Sequence, residues 1–287
     1  MKRLVSWLYA PVFLLGFIGW GIWQPRWLVG VFAAAVAVSF LVEQWLPYER
    51  QWNRSLGDRR RDTLHALVNE SLNAAGLLIL PGLTALLAVE GIWPRGWPLW
   101  EQLLLAIVLA DAGITLMHYA SHRMAPLWRL HAVHHSVQRL YGFNGLMKHP
   151  LHQMLEATAG LLPLILLGIP LDVAQLLALA IAVQLLLQHS NVAMRLGPLR
   201  WVFAWAPVHR FHHMKYGRAG DVNFGLFFNL WDWLLGTAFY RPRYRMGPGD
   251  LGIGSRPDFP RDYVAQLRDP FAAVKSGKEP PLPQDLR

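Results

Sequence analysis

The sequence predicts an all-α membrane protein, a polytopic helical bundle with a histidine-rich helical cap on its cytoplasmic side. Apolar residues make up 54% of the 287 residues and charged residues only 16%, which is too apolar for an ordinary soluble protein. The apolar residues are gathered in runs close to the ~20 residues that a helix needs to cross a bilayer. Eleven of the 12 histidines lie between positions 118 and 213. These runs and this clustering define the predicted architecture.

The first two apolar runs, residues 4–23 and 27–46, are separated by the short break Gln24–Pro25–Arg26 and predict a membrane hairpin. No small-residue cleavage site follows the first run, so we interpret it as an uncleaved span and not as a secretory signal. The loop at 47–61 is rich in arginine, and such loops stay in the cytoplasm. Residues 1–62 therefore form the first predicted unit, with a cytoplasmic amino terminus.

A third apolar run, residues 63–93, has a mixed first half. His65, Asn69 and Asn73 recur every four residues and share one helical face. This polar stripe faces either the bundle interior or the membrane interface. The fourth run, residues 99–117, returns the chain to the cytoplasm and ends at His118.

The next apolar run, residues 155–187, is interrupted by Gly168–Ile169–Pro170 and predicts either two spans or a re-entrant hairpin. In both cases it begins and ends on the cytoplasmic side and is followed by His189. Residues 223–239 are too short for a span and predict an interfacial or packing helix. Proline-rich residues 241–287 predict an extended cytoplasmic tail. The resulting prediction is a multi-pass protein of a bacterial-type inner membrane, with the histidine clusters and both termini cytoplasmic.

Charge and cysteine content exclude several function classes. The net charge is +9, but the basic residues lie beside apolar runs, which favours membrane topology and anionic lipid headgroups over nucleic acid. Cysteine is absent, so a disulfide framework, a thiolate metal site and a cysteine nucleophile are excluded.

The histidine spacing predicts a metal site. Two histidines are four residues apart, and two further groups share the spacing i, i+3 and i+4, so that in each group all three can face one point. These eight histidines are His118, His122, His131, His134, His135, His209, His212 and His213. Eight imidazoles are too many for one ion, so we predict two. Neutral imidazoles on a metal also avoid the repulsion between clustered histidinium ions.

Three single histidines are further candidates for ligands: His149, His152 and His189. We interpret His65 as a packing residue or as a residue that orients a ligand. The carboxylates available to orient imidazoles are Asp111, Asp221 and Asp232, each of which can instead cap a helix or pair with an arginine.

The type of metal follows from what the clusters lack. The motif H-E-x-x-H is absent, and we find no Asp or Glu at ligand spacing in the clusters. Zinc hydrolases usually leave an open position beside a carboxylate base, whereas an all-nitrogen dinuclear site suits iron and O₂ chemistry.

Several motifs resemble the fatty acid hydroxylase/sterol desaturase superfamily. They are H-x-x-x-H at 118–122, W-R-L-H-A-V-H-H-S at 128–136, P-V-H-R-F-H-H at 207–213, N-F-G at 223–225 and W-D-W-L-L-G-T at 231–237. The chain departs from the family pattern at His118–Tyr119, where H-R is common, and at His152, where the family often has glutamate. These departures affect the immediate surroundings of the site but not the eight clustered positions.

The resemblance implies a membrane anchor with a cytosolic cap, a catalytic domain at 63–240, and a non-haem diiron centre that uses O₂ and two electrons to hydroxylate or desaturate a lipid. The implied metal ligands are His118, His122, His131, His134, His135, His149, His189, His209, His212 and His213. No haem, flavin or nicotinamide motif is present, so the electrons are expected from a separate donor protein. Arg139, Lys148, Lys215 and Arg218 are candidates for docking an acidic donor, or alternatively for contacting phospholipid.

Two rival functions remain open, a zinc-dependent membrane hydrolase and a membrane metal-binding or transport protein. A transporter is expected to carry polar residues through the middle of several spans. Residues 27–46, 76–89 and 99–110 have no charged residue at mid-span, which favours an enzyme.

Overall fold

The computed structural model describes residues 1–273 and 277–286 of the chain. Among these residues it contains helices and three isolated β-bridges but no strand. Six helices in this described part of the chain are long and apolar enough to cross a membrane. They are α1 (Lys2–Trp23), α2 (Leu28–Trp45), α3 (Arg59–Leu87), α4 (Leu99–Arg123), α6 (Pro150–Leu167) and α7 (Leu171–Gln188). The predicted all-helical polytopic bundle is confirmed, and its cytoplasmic orientation stays a prediction.

The described residues also form short 3₁₀ turns and four shorter α-helices: α5 (Ala125–His135), α8 (Ala206–His209), α9 (Leu230–Leu235) and α10 (Tyr263–Arg268). The helix predicted at 223–239 is thus reduced to the six residues of α9. The preceding loop cannot continue as a helix because Asn223 has a positive φ of 55° and the amides of the next residues bond to carboxylates.

The break between α6 and α7 separates two full helices. Gly168, with φ 83°, ends α6 in the left-handed conformation, and Pro170 precedes the first residue of α7. Each helix has 18 residues and is apolar enough to span. This arrangement supports the two-span alternative over the re-entrant hairpin.

Helix α7 is the centre of the bundle. It is the most buried of the six long helices and packs against α1, α2, α3 and α4. Helix α4 packs most extensively against α6, at a crossing formed by Gly113 and Gly160. A Cβ atom on Gly113 would lie 2.1 Å from the carbonyl oxygen of Ala159. Only glycine at this position allows the two backbones to approach so closely.

The histidines collect at one end of the bundle, which we call the site end. It comprises the carboxyl ends of α2, α4 and α7 and the amino ends of α3 and α6. Hydrogen bonds connect these ends: Glu43 of α2 accepts from the amides of Gly142 and Asn191, and Asp62 of α3 accepts from the hydroxyl of Tyr141. The long helices therefore fix the frame on which the cap is built.

The polar stripe on α3 faces the interior. His65 is fully buried and its Nε2 lies 2.9 Å from the side-chain oxygen of Gln266 in α10. The amide of Asn69 donates to the carbonyl oxygens of Leu146 and Lys148. Of the two alternatives for this stripe, the interior position is the one observed.

The chain after position 241 has little regular structure, but it does not extend away from the protein. Met246, Leu251, Phe259 and Leu286 are buried in a second apolar core over the site end, together with Trp52 and neighbouring cap residues. The extended conformation predicted for this segment is therefore wrong over much of its length. Its scattered apolar residues, separated by prolines, give no periodic signal from which the packing could be predicted.

Substitution of Gly113 by alanine is expected to destabilise the bundle by about 2 kcal/mol, because the new methyl group overlaps the α6 backbone. The measurement is unfolding in mixed micelles with increasing SDS. Gly16→Ala is the matched control, since no atom lies within 4 Å of the added Cβ there. Equal stability of the two variants would contradict the close α4–α6 crossing.

Candidate metal centre

Nine histidines form two neighbouring clusters at the site end. Within each cluster, one possible ligand atom per residue lies within 4.8 Å of all the others. Cluster A contains His118, His122, His131, His135 and His212. Cluster B contains His134, His189, His209 and His213. The eight histidines predicted from spacing are all brought together, and His189 joins them.

Each cluster is formed by histidines from several helices and turns. The end of α4 places His118 and His122, α5 places three histidines, and His189 follows the last residue of α7. The third motif begins in α8 and continues as a 3₁₀ turn over Arg210–His213. The site is thus assembled only when α4, α5, α7 and the segment around α8 are packed together.

The two H-x-x-H-H motifs do not each face one point, and that expectation is wrong. His131 and His135 point to cluster A, whereas His134 points to cluster B. Successive residues of a helix are rotated by about 100°, so His134 and the adjacent His135 point in different directions. His131 and His135, at positions i and i+4, share one face of the helix. In the third motif the assignment is reversed: the i+3 residue, His212, belongs to cluster A, whereas His209 and His213 belong to cluster B.

Hydrogen bonds fix the tautomer of several rings. Nδ1 lies 2.8–3.1 Å from a backbone carbonyl oxygen in four of them, and since a carbonyl carries no proton, Nδ1–H must be the donor. The pairs are His118 with Phe224, His134 with Met147, His189 with Leu185 and His212 with Val222. In a neutral ring the lone pair then resides on Nε2.

These Nε2 atoms point at one another. His118 and His212 approach to 2.8 Å, and His189 lies 3.1 Å from both His134 and His213. Where Nδ1 carries the proton on both rings, as for His118 and His212, the two lone pairs face each other with no proton between them. A cation placed among the nitrogens removes this repulsion, so the donor set fits a metal ion in each cluster.

Burial keeps the cluster histidines neutral. It lowers the pKa of those on α5 and around α8 well below the usual value of about 6.5, and the charge of neighbouring imidazoles lowers it further. Neutral imidazole is the form that binds metals, so the site needs no proton release from these rings before loading.

Comparison with known proteins places this arrangement in a family. The sequence profile of the fatty acid hydroxylase family matches residues 103–237, which include all nine clustered histidines. The ornithine lipid hydroxylase of Rhizobium tropici is 34% identical over 255 residues, covering 86% of this chain and 76% of that protein. The chain belongs to the fatty acid hydroxylase family.

Two more distant members are alkylglycerol monooxygenases. That of Danio rerio is 30% identical over 148 residues and that of Xenopus tropicalis 27% identical over 152 residues. The matches span about half of this chain but only 31% and 32% of those proteins. No solved structure matches the chain.

The closing motifs of the chain act through a loop at 222–228. Asp232 accepts hydrogen bonds from the amides of Phe224 and Gly225, and Asp111 accepts from the next three amides. Two carbonyls of the same loop, those of residues 222 and 224, accept from His212 and His118. The two aspartates therefore orient cluster A indirectly, and within residues 1–273 and 277–286 neither of them caps a helix or pairs with an arginine.

Asp221 orients a histidine of cluster A directly. Its Oδ1 lies 2.9 Å from Nδ1 of His122, and the same carboxylate is 3.8 Å from Arg123. Among the three predicted orienting carboxylates it is the one that contacts a clustered histidine. A carboxylate in this position fixes ring orientation and increases the basicity of the ligand.

His149 lies outside both clusters. Its Nδ1 accepts from the amide of Leu151, as the cap of α6, and its Nε2 lies 3.2 Å from the carbonyl oxygen of Leu267. Proline follows it and begins the helix, which directs its ring to the helix terminus. We therefore leave His149 out of the proposed ligand set.

His152 lies beside cluster A in a third group with His131 and Glu156. Its Nε2 is 2.9 Å from the hydroxyl of Ser121, and Nδ1 is 3.8 Å from Glu156. Glu156 is a residue of the site that was not predicted from the sequence. Its signal was the spacing from His152, one helical turn later on α6.

Asp221→Ala is expected to weaken metal retention in cluster A by about tenfold to a hundredfold, because Nδ1 of His122 loses its acceptor. The measurement is metal content after titration with a chelator. Asp172→Ala, at the opposite end of α7, is the control and should retain metal like the unmodified protein. Equal retention by both variants would refute the orienting role of Asp221.

Proposed function

We propose that this member of the family is an O₂-dependent diiron oxidoreductase that hydroxylates or desaturates a C–H bond of a membrane lipid. The observation that carries the proposal is the pair of all-imidazole clusters beside a cleft that lies among the long apolar helices. The five and four imidazoles of the two clusters suit two nitrogen-bound ions, whereas the usual catalytic zinc site holds one ion on three protein ligands.

The proposed iron ligands are the members of clusters A and B. Bound iron supplies the capacity to reduce O₂ and oxidise an unactivated C–H bond. The protein holds the imidazoles neutral and oriented through the carbonyls and Asp221 described above. It also surrounds both clusters with buried side chains, which limits access of bulk water.

The proposed path for the lipid is a cleft between α3, α4, α6 and α7. Its walls are formed mainly by aliphatic side chains and small residues, including Ala110, Ile114, Gly160 and Leu177. Two wall residues lie next to the site: Ile114 is one turn before His118, and the carbonyl of Leu185 accepts from His189. An acyl chain can therefore remain in an apolar environment while its lipid approaches the clusters.

The names of the relatives favour a lipid with a defined polar headgroup. The Rhizobium protein is an ornithine lipid hydroxylase and the vertebrate proteins are alkylglycerol monooxygenases. We propose polar-headed membrane lipids as the substrate class of this chain. Ornithine lipids are the first candidates, because the match to the Rhizobium protein covers most of the chain.

The proposed point of electron delivery is Trp128. Its ring is partly exposed and lies 4.9 Å from the ring of His122 and 5.3 Å from that of His135. Exposed Arg123, Arg129 and Arg218 form a basic surface in the neighbouring segments, which suits an acidic one-electron donor.

The structure corrects the role predicted for two of the residues expected to dock this donor. Arg139 is 5% exposed and donates to Asp58, while Lys148 is 7% exposed and pairs with Glu156. Neither reaches the surface, so the docking role predicted for them is wrong. Lys215 and Arg218, the other two candidates, are at least partly exposed.

The proposed topology places the site end and the amino terminus in the cytoplasm. The arginine-rich start of α3 lies at the site end, and short arginine-rich segments stay on the cytoplasmic side. Six spans return the chain to the same side, which agrees with a cap built from both terminal and internal segments.

His134→Ala is expected to abolish product formation while the protein still inserts in the membrane, because cluster B loses one of four ligands. The measurement is incorporation of ¹⁸O, or formation of a double bond, in lipids incubated with reduced protein and ¹⁸O₂. His149→Ala is the matched control and should keep most of its activity, since that ring lies outside both clusters. Product from the His134 variant at the rate of the unmodified protein would refute the proposed ligand role.

A further inference from the structure

The cleft among the long helices has a polar end. Most of its wall is apolar, but close to the site end it is formed by Glu70, Asn73, Lys148, Gln153 and Glu156. These residues come from α3, from the segment before α6 and from α6 itself. An amphipathic ligand would therefore find two different environments along a single cleft.

Charge is not balanced at this polar end. Lys148 and Glu156 form a buried ion pair and neutralise each other. Glu70 has no such partner: among residues 1–273 and 277–286, no basic side chain forms an ion pair with it. The charge of Lys148 acts on Glu70 as well as on Glu156, so two carboxylates share one ammonium. With both carboxylates ionised, the polar end carries one negative charge in excess.

The contacts of Glu70 do not compensate for this charge. Its carboxylate accepts one long hydrogen bond, of 3.4 Å, from the amide of Asn73. The oxygen of that amide is itself occupied by the side chain of Gln153, at 2.9 Å. A carboxylate among apolar spans is costly without a partner, and charged groups in such positions usually belong to a functional site.

We propose that Glu70 binds the protonated amine of a lipid headgroup whose acyl chains occupy the apolar part of the same cleft. This inference rests on the proposed lipid-modifying function and narrows its substrate class to lipids with a free headgroup amine. An ammonium group supplies the missing positive charge and forms a charge-assisted hydrogen bond with the carboxylate. The headgroup then lies at the site end, beside the Lys148–Glu156 pair.

The test is competition between two lipids for the purified full-length protein in detergent, followed by native mass spectrometry. The probes are an ornithine lipid and the same lipid acetylated on its free amine, which removes the positive charge but keeps the chains. The unmodified protein should bind the free amine about tenfold more tightly. Glu70→Gln should bind both probes equally.

Two further variants serve as controls for the binding experiment. Glu90→Gln makes the same chemical change at an exposed position outside the cleft and should keep the tenfold preference. Glu70→Asp keeps the charge and should keep more of the preference than Glu70→Gln. A ratio near one for the unmodified protein, or an undiminished preference in Glu70→Gln, would overturn the proposal.

Product formation from O₂ is measured separately on the same samples. If the headgroup proposal fails, the unmodified protein still forms product from lipid, but without selection for the amine. If the proposed function fails, no lipid gives product, while the binding ratio still reports on Glu70. The two failures are therefore distinguishable.

Discussion

The site depends on the hydrogen bonds that hold Nδ1–H of five of the nine cluster histidines, four against backbone carbonyls and that of His122 against Asp221. Each of these bonds leaves the Nε2 lone pair directed inward, toward other Nε2 atoms at about 3 Å. Without a cation this arrangement is repulsive, and with protonated rings it would be more so. The remaining architecture can be understood as the support that keeps these carbonyls in place.

That support extends far into the bundle. Asp111, two turns before His118 on α4, fixes a loop whose carbonyls orient His118 and His212, and Asp232 fixes the same loop from its other side. The close α4–α6 crossing at Gly113 and the central position of α7 set the distance between the helix ends. A defect in helix packing is therefore transmitted to the clustered histidines through few intermediate contacts.

The sequence predicted the long helices and the eight clustered histidines because both signals are local. Apolar runs near 20 residues and repeated H-x-x-H-H motifs are visible without knowledge of tertiary contacts. The assignment of His134 and His135 to different clusters was not predicted, although their adjacency on α5 implied different directions. The interior position of Gln266, the partner of His65, depends on packing between segments about 200 residues apart and has no local signal. The proline after His149 indicates a helix start, and the capping role observed for this histidine competes with metal binding.

The central proposal is a pair of nitrogen-only metal sites beside a membrane lipid cleft, and metal analysis tests it most directly. Anaerobically purified protein should contain two iron ions per chain, with nitrogen as the predominant ligand in iron X-ray absorption spectra and with O₂ uptake after reduction. One zinc ion per chain and no O₂ uptake by the reduced protein would contradict it.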